Sequence, residues 1–252
     1  MAASKFAENL FQYSGGMEKH DLNSVLQNFM DYPEEIDMLS HSPYFDISDL
    51  VSQLKKSCHN FSVLTLNVQS ICSKFDKLYP IFDHLSEHNI HFSAICLQET
   101  WLKGPNPDTS LYNIPNYTAI SLGATCSSHG GLTIYLHNSF QYRILDLYTP
   151  SNIWEGQFIE IYGPNIPKKI VLCNIYRPPR DNNSNRIIDA FIKEFFPILN
   201  KLSKNSTETI VLGDFNINLL EVEEREKYHD FYSHMVSHGF MLNITLPTRS
   251  AT

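Results

Sequence analysis

The sequence predicts a two-sheet α/β sandwich in which helices pack on the outer faces of the sheets. Three observations lead to this prediction. A strand–helix–strand unit begins at residue 61, several strand-like segments without helical spacing follow between 117 and 176, and helices alternate with strands from about 186 to 244. Consecutive strands with short turns indicate antiparallel pairing, and amphipathic helices need a sheet face to cover.

The strand–helix–strand unit is defined by its hydrophobic periodicity. The segments FSVLTLNV (61–68) and FSAICLQE (92–99) have the short apolar runs of buried strands. Between them, FDKLYPIFDHLSEHN (75–89) places apolar side chains on one helical face, which comprises Phe75, Leu78, Ile81, Phe82 and Leu85. This order is typical of a βαβ unit.

The remaining elements complete the two sheets. Five strand-like segments follow a Pro-rich loop, namely YTAISL, GLTIYLH, YRILDLY, GQFIEIYG and KKIVLCNIY. A helix is predicted from about 186 to 202, with a kink or a break at Pro197, and the buried strand TIVLGD comes next. A second helix runs from about 223 to 238 and ends at Gly239, before a short strand FMLNI.

Composition and charge divide the chain into two predicted parts. The 252 residues are 42% hydrophobic with a net charge of −8. Residues 1–58 hold 4 Lys/Arg against 9 Asp/Glu, whereas residues 59–252 hold 15 against 18. We expect an acidic, loosely structured lead-in at 1–58, with short helices around 22–30 and 48–56, and a domain at 59–252. A nearly neutral domain has no general electrostatic attraction for nucleic acid, so any polyanion would be held locally.

The sequence contains no signal for export or for a membrane. No run of 18 apolar residues occurs, and the first 20 residues lack the apolar centre of a signal peptide. The five cysteines form no C-x-x-C pair, so we assign neither disulfides nor zinc. We therefore expect an intracellular protein without membrane partners. The oligomeric state is not predicted.

Polar side chains follow four predicted strands at the point where each strand ends. They are Asn67, Glu99, Tyr176 and, after the buried run TIVLG, Asp214 with Asn216. A single Glu or Asn at such a position is ordinarily a solvated turn residue or a cap. If the strands share a direction, however, these side chains converge on one crevice, as in α/β sheets that bind ligands at strand ends. Carboxylates beside amides and a phenol suit Mg²⁺ and a phosphate ester.

Four ordered motifs carry a family resemblance. LTLNVQS, AICLQETWL, IVLCNIYRPP and TIVLGDFNINL, followed by LPTR, resemble the motifs of the endonuclease/exonuclease/phosphatase superfamily. Within it, they resemble the endonuclease domain at the start of non-LTR (LINE-type) retrotransposon proteins. The resemblance covers about residues 59–250. It implies a four-layer sandwich of two mostly antiparallel sheets flanked by helices, and metal-dependent hydrolysis of phosphodiesters.

The resemblance also implies roles for individual residues. Glu99 and Asp214 would hold Mg²⁺, with Mn²⁺ as an alternative, and Asn67 would position metal or phosphate. Tyr176 would contact the scissile phosphate, and Asp214 with Asn216 would orient the attacking water. The implied partner of the complete domain is DNA, which would place the protein in the nucleus. Arg177, Thr248 and Arg249 are either DNA-backbone contacts or ordinary surface residues, and Trp101 is expected to pack beneath the site rather than contact a base.

Two departures from the family pattern lower the expected activity. Gln69 stands where repair-type relatives have Asp, and the chain reaches Thr252 without the family's last strands and their Asp-His block. We expect weak or no DNA hydrolysis by this chain. His229, His234 and His238 are expected on a solvated helix face rather than at a metal, and His129 is unassigned. A non-catalytic remnant or binding module, and a phosphatase or lipid phosphodiesterase on the same fold, stay open as alternatives.

Overall fold

The computed structural model describes nine stretches of the chain, and the statements below concern these residues. They are residues 10–13, 47–56, 61–126, 129–148, 150–163, 166–179, 185–203, 207–219 and 226–243. The predicted helix around 22–30 lies outside the described residues, as do Thr248 and Arg249.

The described residues form ten strands and four α-helices, which are numbered here in chain order. The strands are β1 (Leu10–Tyr13), β2 (Val63–Asn67), β3 (Ala94–Gln98), β4 (Tyr117–Leu122), β5 (Leu132–His137), β6 (Gln141–Ile144), β7 (Glu155–Tyr162), β8 (Ile170–Tyr176), β9 (Glu208–Asp214) and β10 (Phe240–Leu242). The helices are α1 (Ile47–Lys56), α2 (Ile71–Glu87), α3 (Asn185–Ser203) and α4 (Glu226–Ser237), and a short 3₁₀ turn covers Ser110–Tyr112.

Two mostly antiparallel sheets form the centre of the protein, which confirms the predicted fold class. The larger sheet has the order β10-β1-β9-β8-β7-β6, and the smaller has the order β2-β3-β5-β4. Each contains one parallel pair, β8 with β9 in the larger and β2 with β3 in the smaller. These parallel pairs are where helical crossovers were expected, because parallel neighbours need a long connection.

Three apolar layers hold the sheets and helices together. The two sheets face each other across a core that includes Cys96, Ile134, Leu172 and Leu212. Helix α2 covers the outer face of the small sheet, where Val51 of α1 also joins the core. Helices α3 and α4 cover the large sheet with five fully buried side chains, Phe191, Phe195, Leu199, Phe231 and Met235. The layers are therefore helix, sheet, sheet and helix.

Several elements begin or end at residues other than those predicted. Helix α2 starts at Ile71 rather than near residue 75, because the Ser70 hydroxyl caps it by accepting from the amide of Ser73. Helix α3 runs unbroken past Pro197, so the predicted break is wrong. The burial of α3 on the large sheet compensates for the backbone hydrogen bond that the proline removes.

The predicted lead-in contributes two described elements. Strand β1 pairs with β9 on one side and with β10 on the other, both antiparallel. This strand was not predicted, since four residues without a repeated pattern carry little periodic signal. The boundary between lead-in and domain stays a prediction.

Gly213 is needed for the packing of β9 against β8. It lies inside β9, with φ of +134°. A Cβ atom here would overlap the carbonyl of Ile175 on β8. Glycine is therefore required where these two parallel strands approach each other, one residue before Asp214.

The cysteines of the described residues differ in accessibility. Cys96 and Cys173 are buried, Cys126 is partly exposed and Cys72 is exposed. The assignment of neither disulfides nor zinc stays a prediction. Within the described part of the chain, no helix has the length and apolar character needed to cross a bilayer.

Candidate active site

The candidate site lies at one end of the layer between the two sheets. Side chains alternate along a strand, so residues two apart share a face. On β2, Thr65 and Asn67 lie on the face toward the opposite sheet. On β8, the corresponding face carries Asn174 and Tyr176. The same face ends in Asp214 on β9. The polar ends of these three strands therefore meet across the sheets, next to Glu99, which directly follows β3.

Asn67 joins the two carboxylates of the site. Its Nδ2 donates to Glu99 Oε1 at 2.6 Å and to Asp214 Oδ2 at 2.7 Å. Its Oδ1 accepts from the backbone amide of Gln69 at 3.2 Å, which fixes the orientation of the amide. Asn67, Glu99 and Asp214 are 7%, 9% and 3% exposed, respectively. Two acids from different sheets are thus held within hydrogen-bonding distance of one nitrogen.

Glu99 has a left-handed backbone, with φ of +53°. Backbone contacts stabilise this conformation: its carbonyl accepts from the amide of Ser70 at 2.8 Å, and the amide of Thr100 donates to the carbonyl of Gly131 at 3.0 Å. A non-glycine residue in this region costs about 1–2 kcal/mol, so the surrounding structure determines it. The turn directs the Glu99 carboxylate toward β9 of the opposite sheet.

Tyr176 ends β8 beside the two acids and is 1% exposed. Its hydroxyl has no hydrogen-bond partner among the described residues. Burial, and then the negative charges of Glu99 and Asp214, raise the pKa of Tyr176 well above its usual range. The phenol therefore keeps its proton and can donate it in a hydrogen bond to an anionic ligand.

The turn after β9 is held by Arg177 and Asn216. Arg177 Nε donates to the carbonyl of Phe215 at 2.6 Å, and Nη2 donates to the carbonyl of Asn216 at 2.6 Å. Asn216 Nδ2 donates back to the carbonyl of Arg177 at 2.7 Å, and its backbone amide donates to Asp214 Oδ1 at 3.0 Å. These bonds orient the Asp214 carboxylate.

Asn216 and Arg177 hold this turn in ways that the sequence did not predict. Asn216 has a φ of +49°, and its side chain turns to the Arg177 carbonyl. Arg177 is 5% exposed, and burial lowers its pKa. Its guanidinium donates to backbone carbonyls, so Arg177 is not an ordinary surface residue, and a contact to the DNA backbone stays a prediction. Thr248 and Arg249 lie outside the described residues.

Trp101 is also placed differently from the prediction. It is 41% exposed rather than packed beneath the site. Its indole Nε1 donates to Glu99 Oε2 at 3.4 Å, and its amide donates to the carbonyl of Gly130 at 2.9 Å. A large aromatic surface is therefore held at the rim of the site.

A buried amide network lies directly below the site and was missed in the sequence. Gln98 Nε2 donates to Asn174 Oδ1 at 2.6 Å and to Thr65 Oγ1 at 3.0 Å. Asn174 Nδ2 donates to the carbonyl of Leu97 at 3.2 Å. These bonds connect β2, β3 and β8 across the two sheets. The sequence feature that could have indicated this network is a polar residue two positions before Asn67 and another two positions before Tyr176.

Glu155 is a second residue that the sequence did not reveal. It begins β7, pairs in register with Tyr176 and is 3% exposed. Its carboxylate accepts from the amide and hydroxyl of Thr125 at 2.7 and 2.8 Å, and from the amide of Gly131 at 2.6 Å. It thereby fixes the segment that carries His129, whose ring centroid lies 6.4 Å from that of Tyr176. The signal was an acid at the start of a buried strand.

His234 of α4 and His238, which directly follows the helix, pack in the helical layer rather than beside these acids. His234 and His238 pack on Phe196, with ring centroids 4.9 and 5.3 Å apart from it. No described residues form a cluster of three or more His, Cys, Asp and Glu side chains that could hold a metal.

The donor set nevertheless fits magnesium. Mg²⁺ prefers hard oxygen ligands, keeps several waters and is commonly bound by one or two carboxylates together with substrate phosphate. Glu99 and Asp214 supply two carboxylates, and the buried Tyr176 hydroxyl lies beside them without a partner among the described residues. A site with two protein carboxylates matches this mode of binding rather than a closed protein cage.

The chain belongs to the Endonuclease/Exonuclease/phosphatase family, whose model matches residues 64–232, more than half of its length. The members of this family are hydrolytic nucleases and phosphatases. No curated protein sequence matches the chain.

Solved structures share the fold at low sequence identity. An AP endonuclease from Leishmania major is 15% identical, with a TM-score of 0.53 over 71% of this chain and 66% of that protein. An AP endonuclease from Archaeoglobus fulgidus is 16% identical, with a TM-score of 0.52 over 72% of each chain. The 3′ phosphatase NExo from Neisseria, bound to a product DNA hairpin, is 13% identical, with a TM-score of 0.51 over 71% of each chain.

Proposed function

We propose that the chain is a divalent-metal-dependent phosphodiesterase that nicks DNA weakly, of the type found at the start of non-LTR retrotransposon proteins. The observation that carries the proposal is the pair of carboxylates, Glu99 and Asp214, held on one amide nitrogen of Asn67. Two carboxylates held on one nitrogen repel each other, and a bound cation that also activates a water would offset that repulsion.

Each residue has a role in this proposal. Glu99 and Asp214 would hold Mg²⁺, which neutralises charge on the phosphate when it is bound. Asp214, oriented by the backbone amide of Asn216, accepts the proton of the attacking water. Tyr176 donates its hydroxyl to a phosphate oxygen, since its pKa stays high in this environment. Asn67 keeps the two acids in place.

The motifs support DNA as the substrate. The blocks Q-E-T-W-L at 98–102 and Y-R-P-P at 176–179 resemble those of retrotransposon endonucleases rather than those of inositol phosphate or sphingomyelin enzymes. The exposed Trp101 at the rim offers a face on which a nucleobase stacks. In retrotransposons, this chemistry produces a 3′ hydroxyl that primes reverse transcription.

A plasmid-nicking assay tests the proposal. Supercoiled DNA should convert to open circles with Mg²⁺ but not with EDTA, and a DNA polymerase should extend the nick without prior treatment. Glu99→Gln should lower the rate by about 10²–10³-fold, because charge stabilisation at the phosphate is lost. Glu87→Gln, an exposed glutamate at the end of α2, is the matched control and should leave the rate unchanged.

Three results would contradict this function. Equal nicking rates of Glu99→Gln and the parent protein would show that the acids take no part in the reaction. Hydrolysis of an inositol phosphate without nicking of DNA would favour the phosphatase alternative. DNA binding without hydrolysis of either substrate would favour a non-catalytic binding module.

A further inference from the structure

Two histidine rings lie next to each other at the end of α2. His84 is in the last turn of the helix, His88 directly follows it, and their ring centroids are 4.5 Å apart. Residues four positions apart share one helical face. Phe82 and Leu85 are buried on the side of the small sheet, whereas the side chain of His84 is 47% exposed. The outer surface of α2 therefore carries a pair of adjacent imidazoles.

A hydrogen bond determines which nitrogen of His88 carries its proton. His88 Nδ1 lies 2.9 Å from the carbonyl oxygen of His84. A carbonyl oxygen only accepts, so Nδ1 donates, and the neutral ring has its lone pair on Nε2. This is how histidine ligands of metals are oriented in proteins. His84 Nδ1 is 3.8 Å from Glu87 Oε2, too far for a hydrogen bond, so the His84 ring can turn Nε2 toward His88.

A second histidine pair has the opposite tautomer. The ring centroids of His91 and His137 are 5.3 Å apart. The backbone amide of Ser139 donates to His137 Nδ1 at 3.3 Å, so the neutral His137 ring carries its proton on Nε2. A metal would have to displace that proton or break the bond to Ser139. This pair is therefore less suited to ligation than the pair on α2.

A third pair has the same spacing as the first but different neighbours. His238 Nδ1 lies 2.8 Å from the carbonyl oxygen of His234, as in the pair on α2. Both rings, however, pack on Phe196, with centroids 4.9 and 5.3 Å from the phenyl ring. To chelate one ion, the two imidazoles would have to leave this apolar contact. The third pair is thus a control with identical spacing.

We propose that His84 and His88 bind one first-row transition-metal ion, such as Zn²⁺, through Nε2 of both rings, with water completing the coordination. Two histidines at positions i and i+4 on one helical face are an arrangement that binds zinc. Imidazole favours Zn²⁺, Cu²⁺ and Ni²⁺, whereas Mg²⁺ prefers oxygen ligands. Two protein ligands are fewer than the three or four of catalytic and structural zinc sites, so the ion should exchange readily.

The proposed site is independent of the proposed nuclease function. Helix α2 starts beside the candidate active site, where the amide of Ser70 donates to the carbonyl of Glu99. The 17 residues of the helix place its other end roughly 25 Å away. An ion bound there would link the last turn of α2 to the residue that follows it, and so stabilise the end of the helix that covers the small sheet.

Chemical modification of histidines tests the site without any need for hydrolysis. The protein, without a polyhistidine tag, is treated with diethyl pyrocarbonate, and the modification of each histidine is followed by mass spectrometry. Zn²⁺ at about ten times its Kd should slow modification of His84 and His88 about tenfold, because only the free fraction reacts. His91 and His234 are also exposed and should be unaffected. Mg²⁺ at the same concentration should protect none of them.

A matched pair of variants locates the effect. His84→Gln removes one ligand, so Zn²⁺ should no longer protect His88. His234→Gln is the same change in the last turn of α4 and should retain protection of both α2 histidines. Zn²⁺ at about 100 times its Kd should raise the Tm of the parent and of His234→Gln by about 5 °C, and that of His84→Gln by much less. Unfolding without Zn²⁺ checks that both variants fold.

Each outcome supports or overturns the metal site. Unchanged modification of His84 and His88 in Zn²⁺, or equal protection by Mg²⁺, would overturn it. Equal protection of His234 would show that spacing alone attracts the ion, which would overturn the assignment to α2. Long-range ¹H–¹⁵N NMR spectra should show that Zn²⁺ shifts Nε2 of both α2 rings, and coordination through Nδ1 would contradict the proposal. Protection in a protein that never nicks DNA would support the metal site while the nuclease fails.

Discussion

Asn67 and Asp214, 147 residues apart in the chain, are joined by a hydrogen bond of 2.7 Å between Nδ2 and Oδ2. One residue ends a strand of the small sheet, and the other ends a strand of the large sheet. The bond therefore closes the layer between the sheets, and the same nitrogen also reaches Glu99.

Replacement of Asn67 by alanine should expose the repulsion between Glu99 and Asp214. The free energy of unfolding should fall by about 2–3 kcal/mol at pH 7, because a donor shared by two buried charges is lost. A cation held by the two carboxylates would offset their repulsion, so the deficit should shrink when Mg²⁺ is added. Urea unfolding with Mg²⁺ and with EDTA measures this. A deficit that is the same with and without Mg²⁺ would contradict the prediction, and Asn138→Ala is the surface control.

Replacement of Tyr176 by phenylalanine should separate function from stability. The hydroxyl has no partner among the described residues, so its removal should leave the free energy of unfolding within about 0.5 kcal/mol of the parent value while diester hydrolysis falls about 10²-fold. Because the pKa of Tyr176 is raised by burial and by the two acids, hydrolysis should show no loss from ionisation of this phenol up to pH 10.

The matched control for Tyr176 is Tyr135→Phe. Tyr135 is fully buried, and its hydroxyl donates to the carbonyl of Tyr112 at 2.7 Å. This variant should lose about 1 kcal/mol of stability and no activity. If Tyr176→Phe instead lost stability and kept its activity, while Tyr135→Phe lost activity and kept its stability, Tyr176 would have only a structural role in the core.

Arg177→Gln should act on the turn after β9 rather than on DNA contacts. Two charge-assisted bonds to backbone carbonyls are lost, so the free energy of unfolding should fall by about 2–3 kcal/mol and hydrolysis should weaken as Asp214 loses its orientation. The dependence of DNA affinity on salt should be unchanged. A decrease of about one in the slope of log K against log salt concentration would instead identify Arg177 as a phosphate contact.

Trp101→Ala should weaken binding of single-stranded or nicked DNA by about 1–3 kcal/mol, the usual contribution of one stacked base. Stability should change little, because the side chain is 41% exposed. Leu111→Ala removes another exposed apolar side chain, 80% exposed, and should leave binding unaltered. Fluorescence anisotropy with a labelled oligonucleotide measures both, and equal affinities of Trp101→Ala and the parent protein would exclude the contact.

Gly213→Ala should prevent stable folding. The new methyl group would overlap the carbonyl of Ile175, and the positive φ adds strain, so loss of the cooperative unfolding transition is expected. Gly104→Ala also has a positive φ, +86°, but no atom lies within 4 Å of the added Cβ. It should cost only about 1–2 kcal/mol. Equal thermal stability of the two variants would show that the approach of β8 and β9 does not require glycine.

From residue 61 onward, the sequence by itself was sufficient for the order of the elements and for the polar residues that end four of the strands. Buried strands and amphipathic helices have periods that are visible locally, and a polar side chain at the end of an apolar run stands out in any reading. Asn67, Glu99, Tyr176 and Asp214 were recognised in this way, and the structure brings all four together. Strand β1 lacked such a pattern and was missed.

Only the tertiary structure decided which neighbours those residues have. Three hydrogen bonds around the site join residues more than 20 positions apart. They are the bond between Asn67 and Asp214, the bond from Arg177 to the Phe215 carbonyl, and the bond from Gly131 to the buried Glu155. Contacts between residues that are far apart in the chain depend on how the two sheets face each other. They therefore produce no periodic pattern in the sequence. The same packing set Asn216 in a left-handed turn and left Trp101 exposed, which local patterns could not reveal.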